Sequence, residues 1–301
     1  MPTSMEGAPA GLQFTKGHGT GNDFVLFADP DGVIDFTAEL AAGLADRRFG
    51  IGADGVIRAV RSEHVEEGQT VLALDPAAEW FMDYRNADGS LAEMCGNGVR
   101  VFVAFLQDQG LVTLGDGDTV SVGTRAGVCE VRCDGHEYAA DLGAWKFPGG
   151  QAAVRRSCDV QVFADGVERP LGGLSVSVGN PHVVASVTAE ELAALSLREM
   201  PQVTPAPKNG TNVEFVVLSP VSVGDTEGEI TMRVYERGVG ETLSCGTGAC
   251  AAALAAWAWS GPAGPTTWTV NVPGGRLRVR MLDDVVELTG PAELVARGQL
   301  L

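Results

Sequence analysis

The sequence predicts an α+β fold of two pseudo-symmetric domains, each a mixed or antiparallel β-sheet wrapped around one central helix. Three observations predict it. First, "VRVFVAFL" (99–106) carries a single charge and "GACAAALAAWAWS" (248–260) carries none. A helix that is apolar all the way round has to be buried all the way round. Second, each run follows a Cys-Gly-polar-Gly step, at Cys95 and again at Cys245, 150 positions later. Third, each half holds a Gly-Asn turn, at Asn22 and at Asn180, and a polar residue nine positions before the cysteine, Asn86 and Glu236. This internal repeat points to two similar domains with a cleft between them. The domains are expected at 1–145, joined by the last strand at about 290–301, and at 146–289, with the Gly- and Pro-containing stretch 147–151 as the joint.

The elements follow in order. "LQFTKGHGTGNDFVLFAD" reads as two strands around a Gly-rich turn. "DFTAELAAGLADRRFG" reads as a helix capped by Thr37, with Leu40 and Leu44 on one face. "GIGADGVIRAV" is a turn and a strand, and "EWFMDYRNADGSL" is a strand closed by an Asn-Ala-Asp-Gly turn. A β meander runs from Val120 to Phe147, with Asp134-Gly135 expected at the turn of its hairpin. In the second half "LSVSVGNPHVVASV" gives strand, turn, strand. "TAEELAAL" opens with a capping box from Thr188 to Glu191. "TNVEFVVLS", "EITMRVYERGVG" and the segment from "PGGRLRVRM" onward read as strands.

Composition narrows the function classes. A chain of 301 residues is long enough for two domains with cores of their own. Its net charge of -18 repels phosphate, which argues against nucleic acid or an anionic membrane as partner. The longest apolar stretch, 249–259, is too short to span a bilayer. "MPTSMEGAPAGLQF" lacks the basic residues and apolar core of a signal peptide, so a cytoplasmic setting is expected. Six cysteines in a chain of this size do not read as a secreted disulfide framework.

The cysteines are then to be explained by packing, metal or chemistry. Cys129, Cys133 and His136 form a C-x3-C-x2-H string, but Cys129, Val131 and Cys133 alternate onto one strand face, which favours core packing; no metal site is expected. Cys158 and Cys250 read as packing. Cys95 and Cys245 are different because they stand in matched contexts. A thiol at a helix N-terminus is expected to have a lowered pKa, from free backbone N–H groups and the helix dipole. The glycines Gly96, Gly98, Gly246 and Gly248 let a ligand carboxylate approach those amides. Two opposed thiols are what stereoinversion at carbon needs, one to remove a proton and one to deliver a proton to the other face. Donors around the carboxylate would stabilise the developing enolate.

The ordered blocks "GHGTGNDFV", "RRFGIGADGV", "YRNADGSLAEMCGNGVR", "VSVGNPHVV", "TNVEFV" and "YERGVGETLSCGTGACA" resemble the diaminopimelate epimerase family over nearly the whole chain. The resemblance implies interconversion of LL- and meso-2,6-diaminoheptanedioate without pyridoxal phosphate or any other cofactor, feeding lysine and cell-wall synthesis. It implies Cys95 and Cys245 as the proton donor and acceptor pair. Gly96, Asn97, Gly246 and Thr247 match residues whose amides hold the carboxylate at the reacting centre, and Asn22 matches a substrate contact. Asn86, Asn180, Asn212 and Arg237 match contacts to the distal centre, where a carboxylate suits a guanidinium fork and amide donors. Glu236 suits the distal ammonium, and it and His182 match residues that tune the cysteines. Without the family, His182 in an apolar strand reads as structural and the Glu236-Arg237 pair as a solvated turn.

Some positions depart from the pattern. Gly55 stands where some relatives carry a glutamine contact, and "MPTSMEGAPAG" has no counterpart and reads as a tail. A proline racemase or hydroxyproline epimerase is the nearest alternative. That family has His where Asn97 stands, and has no need for a distal reader such as Arg237. The phenazine-type isomerases lack the cysteine pair. A catalytically silent amino-acid binding protein stays open, as does a homodimer.

Overall fold

The computed structural model describes residues 9–222, 224–261 and 263–301. The tail ahead of residue 9 lies outside the described residues, while Gly11 donates its N–H to the Leu300 carbonyl at 3.0 Å. The chain divides into two compact units, one running to Ala140 and taking back Gly290–Leu301, the other spanning Asp141–Thr289.

In the first unit β1 (Gln13–Gly19) and β2 (Asn22–Ala28) form an antiparallel hairpin. Its turn takes positive φ at Thr20 and Gly21, which places Asn22 opposite Gly19. Helix α1 (Ala38–Ala45) carries the chain to β3 (Gly55–Arg61), parallel to β2. The Thr37 hydroxyl caps α1 by accepting the Leu40 N–H, and Leu40 and Leu44 are buried in the core, as expected. Helix α2 (Glu66–Leu74) precedes β4 (Trp80–Asn86), which is antiparallel to β3. Then Cys95 caps α3 (Gly96–Asp108). Strand β5 (Thr119–Thr124) lies parallel to β4, and β6 (Gly127–Asp134) and β7 (Glu137–Ala144) follow antiparallel. Asp134 pairs with Glu137, so the two-residue turn is Gly135-His136, one position beyond the expected one. Gly135 takes the positive φ there. Cys129, Val131 and Cys133 share the buried face of β6.

The second unit opens with α4 (Gly150–Arg156), so the stretch expected as a joint leads into a helix. Strands β8 (Val160–Phe163), β9 (Leu171–Val178) and β10 (Asn180–Ser186) follow, each antiparallel to the one before. The capping box of Thr188 and Glu191 starts α5 (Ala189–Ala194). Strand β11 (Gln202–Thr204) pairs with β8, and β12 (Asn212–Leu218) runs parallel to β10. Strands β13 (Glu227–Glu236) and β14 (Gly240–Thr242) make an antiparallel pair ahead of Cys245, which caps α6 (Gly246–Ser260). Strand β15 (Thr267–Val272) is parallel to β13, and β16 (Gly275–Leu282) and β17 (Val285–Pro291) complete the sheet. The chain then returns to the first unit as β18 (Glu293–Gln299), antiparallel to β1.

The sequence repeat is thus a repeat of strand pairing. In each unit an antiparallel hairpin leads, past a short capped helix, to a parallel strand and then an antiparallel one. A cysteine-capped helix follows, then a parallel strand and two antiparallel strands. Helix α3 packs against β1, β2, β3 and β18, and α6 against β9, β10, β12, β13, β15 and β16. Every residue of α6 from Ala249 to Ala256 is buried. Alanine suits that place because it has the best helix propensity and lets strands approach closely. Helix α3 holds Val99, Val101 and Val103, which are weak helix formers, so packing decides its state. Ala252→Leu would overpack the enclosed α6. We expect it to lower stability by about 1–3 kcal/mol in urea unfolding, with an unchanged m-value.

Candidate active site

Both cysteines sit at helix N-caps with extended backbone, Cys95 at φ -138° and ψ 120° and Cys245 at φ -116° and ψ 116°. In each case the thiol sulfur accepts the N–H of the second glycine of its own Cys-Gly-x-Gly, Gly98 at 3.4 Å and Gly248 at 3.3 Å. That explains why the fourth position is glycine. A Cβ at Gly98 would lie 3.3 Å from the Cβ of Cys95, and one at Gly248 would lie 3.2 Å from the Cys245 sulfur. The second glycines therefore make room for the thiols themselves, a use the sequence did not reveal.

Around Cys95 the groups form an ionic chain that reaches solvent. The thiol contacts Asn22 Oδ1 at 3.5 Å, and the same oxygen accepts from Asn97 Nδ2 at 3.3 Å. The fully buried Arg100 donates to Asn97 Oδ1 at 3.0 Å, which fixes the amide orientation. Asn22 Nδ2 donates to Asp54 Oδ2 at 2.9 Å, and Arg47 bridges Asp54 and Asp23 at 2.7 Å each. Lys16 pairs with Asp23 at 2.6 Å. Partial burial would raise the Asp23 carboxyl, but the hydrogen bonds and charges of Arg47 and Lys16 outweigh it and hold Asp23 far below the usual carboxylate range.

Around Cys245 the deepest groups are His182 and Glu214, with Asn180, Thr247 and Glu236 half-buried beside them. His182, only 1 % exposed, contacts Glu214 Oε1 through Nδ1 at 2.7 Å and Asn180 Oδ1 through Nε2 at 2.9 Å. Asn180 Nδ2 donates to Thr247 Oγ1 at 3.2 Å, and that hydroxyl lies 3.7 Å from the Cys245 sulfur. Glu236 accepts from the Thr242 hydroxyl and is hydrogen-bonded to Cys245. Burial pushes the Cys245 thiol well up, and negative charge on Glu236, or on Glu214 when that group is ionised, pushes it further. The Thr247 hydroxyl and the Gly248 N–H act in the opposite direction and are outweighed. The lowered pKa expected at a helix N-terminus is therefore overturned at Cys245, because desolvation by a sealed core exceeds what one amide returns. Burial also raises Glu236 and Glu214.

The remaining expected residues are placed as follows. Asn86 ends β4 and donates from Nδ2 to Ser90 Oγ at 3.0 Å. Asn212 stands opposite His182 across the parallel pair. It donates to the Pro181 carbonyl at 3.2 Å and accepts the Arg237 N–H at 2.9 Å. The exposed Arg237 guanidinium rests on the Asn209 carbonyl at 2.8 Å. Gly96 and Gly246 open their helices, where first-turn amides have no intrahelical acceptor. A side chain at Gly55 would have its Cβ 2.8 Å from the Arg85 carbonyl, so this strand has no space for the glutamine some relatives carry. Sequence reasoning missed Asp54, inside an Asp-Gly turn, and Glu214. The only signal of Glu214 was one charge in a strand that is otherwise apolar after Asn212.

The profile of the family described as diaminopimelate epimerase matches residues 14–147 and 174–295. The diaminopimelate epimerases of Thermobifida fusca and Corynebacterium glutamicum are each 45% identical to the chain over 299 residues, with 96% of this chain and 98% of theirs covered. A crystal structure of a phenazine biosynthesis protein of the PhzF family from Bacillus anthracis has the same fold. Its TM-score is 0.65 at 14% identity, with 96% of this chain and 99% of that one covered.

The charges around Cys245 set a sign that can be measured. Glu236→Gln removes a negative charge beside the thiol, so alkylation of Cys245 by iodoacetamide, followed by peptide mass spectrometry, should move to lower pH. No movement, or movement to higher pH, would mean that Glu236 does not oppose the thiolate.

Proposed function

Because the chain belongs to the diaminopimelate epimerase family, we infer that it interconverts LL- and meso-diaminopimelate by cofactor-independent proton transfer at one α-carbon, with Cys95 and Cys245 as the two acid–base groups. The observation that carries this reading is the matched pair of N-cap cysteines. Each thiol accepts the second glycine's amide, in two units with the same order of strand pairing. Inversion requires a base on one face of the carbon and an acid on the other, since a single base returns its proton to the face it came from. A buried thiol with a raised pKa starts protonated, so Cys245 enters the reaction as the donor when Cys95 removes the α-proton. In the reverse direction the roles exchange.

The first-turn amides of Gly96 and Asn97, and of Gly246 and Thr247, are the donors for the α-carboxylate. They take up the charge that develops as the α-carbon loses its proton. Asn22 orients the Cys95 thiol and Asn97 together. At the distal centre Arg237, held by Asn212 and Asn209, supplies the guanidinium for the second carboxylate, with Asn86 and Asn180 as amide contacts. Glu236 and His182 tune Cys245. The partner is a small dicarboxylic diamino acid, not a nucleic acid or a membrane. Among the described residues no helix is long and apolar enough to cross a membrane. The reaction belongs in the cytoplasm, where thiols stay reduced, and a homodimer is compatible with it.

The test is reduced protein with LL-diaminopimelate in D2O and no added pyridoxal phosphate, read by chiral chromatography and NMR. Meso product with deuterium at one centre is expected, and Cys95→Ala and Cys245→Ala should each lose about 10²-fold or more in kcat. Turnover of L-proline or trans-4-hydroxy-L-proline in place of diaminopimelate would overturn the substrate assignment. Arg237→Met should raise KM about tenfold or more while changing kcat less, as loss of a charged contact outside the reacting centre does.

A further inference from the structure

We propose that Glu214 is a positioning residue for Cys245: its acid O–H donates a hydrogen bond to Nδ1 of His182, holds the ring with its N–H at Nε2, and through Asn180 and Thr247 aims a hydroxyl at the thiol. The proposal rests on the reading of Cys245 as a reacting group.

The orientation of the Asn180 amide orders the protons along the chain. Asn180 Nδ2 donates to Thr247, so Asn180 Oδ1 is an acceptor and the His182 nitrogen facing it, Nε2, carries a proton. Nδ1 then faces Glu214 Oε1 at 2.7 Å, a distance that two bare acceptors would not hold, so one proton lies between them. Glu214 is 0 % exposed, and its Oε2 has no hydrogen-bond partner among the described residues. An unpartnered buried oxygen costs far less as the carbonyl of an acid than as half of a carboxylate. Burial raises the Glu214 carboxyl and the charge of His182 only partly opposes it, which also favours the acid. In that form Glu214 adds no charge against the thiolate.

The consequence reaches Cys245. The Thr247 oxygen accepts from Asn180, so its own O–H is left to point at the sulfur 3.7 Å away, where it stabilises a thiolate as it forms. That donor matters because burial and the carboxylate of Glu236 disfavour the thiolate. The titratable groups that act on Cys245 are Glu236 from β13 and Glu214 from β12, and His182 from β10 stands behind them against Glu214. Gly248 belongs to the same arrangement, since a Cβ there would lie 2.8 Å from Glu214 Oε1. At the equivalent Gly98 the neighbours are Phe24 and Ile57 instead, so the carboxyl belongs to the second cysteine alone.

The experiment compares full-length wild type, Glu214→Gln and Glu214→Leu. Iodoacetamide alkylation at Cys245 is followed against pH by peptide mass spectrometry, and the His182 ring is followed by 15N NMR. Neither readout needs substrate, so a failure of epimerisation would sink the functional reading without touching this one. Glutamine donates N–H to Nδ1 as the acid donates O–H, so Glu214→Gln should keep the Nε2–H ring and a near-wild-type alkylation profile. Leucine donates nothing. Glu214→Leu should let Nδ1 take the ring proton and turn Asn180, and Cys245 alkylation should slow about tenfold at fixed pH, the size of one lost hydrogen bond. Unchanged or faster alkylation in Glu214→Leu would overturn the proposal, because it would assign Glu214 to packing or to charge repulsion. So would a Glu214→Gln profile matching that of the leucine variant. If Glu214→Leu does not fold, the wild-type NMR spectrum decides: a ring protonated at Nδ1 alone, or at both nitrogens, overturns the assignment.

Discussion

Burial of the bodies of α3 and α6, residues 96–106 and 248–256, is the constraint on which the rest depends. A helix with no solvent face satisfies its interior backbone by itself, but its first-turn N–H groups still need acceptors. In both units a cysteine sulfur takes one of them, at 3.4 Å and 3.3 Å, and so becomes fixed at the mouth of a buried helix. The enclosure also explains the composition of α6, where alanines from Ala251 to Ala253 and at Ala255 and Ala256 leave no room for larger side chains.

Matched frames carry unmatched electrostatics. At Cys95 the hydrogen-bond chain runs outward through Asn22 and Asp54 to Arg47, which is more than half exposed. At Cys245 the partners are His182, Glu214 and Glu236, and the same interior that seals the helix raises the thiol and both carboxyls. Polar networks in low dielectric hold together only when each proton has one place to go. The fixed orientations of Asn180 and Thr247 supply that order. A two-base inversion gains from such an asymmetry, because one thiol then begins the cycle protonated.

Local chemistry was legible wherever one residue or one period decides the outcome. Thr37 and the Thr188–Glu191 box announced their helices because a side-chain cap is a short-range hydrogen bond. Helix α2 gave no such signal: Val65 offers no side-chain cap, and only Gly68 and Val71 are buried. Helix α4 begins at Gly149 without a side-chain cap and buries only Ala153. The hairpin turn shifted by one residue because pairing of Asp134 with Glu137 leaves Gly135 to take the positive φ.

The sequence by itself determined the α+β class, the two buried helices, the matched positions of Cys95 and Cys245 ahead of them and the family, since these rest on period, composition and ordered motifs. Tertiary structure alone decided the direction in which the Cys245 thiol is pushed. Whether a helix N-terminus lowers a thiol's pKa depends on how much water the surrounding strands exclude, and at Cys245 they exclude nearly all of it. Glu214 became visible for the same reason: its partner His182 comes from a strand 32 residues earlier, and no local pattern in "TNVEFV" carries that contact.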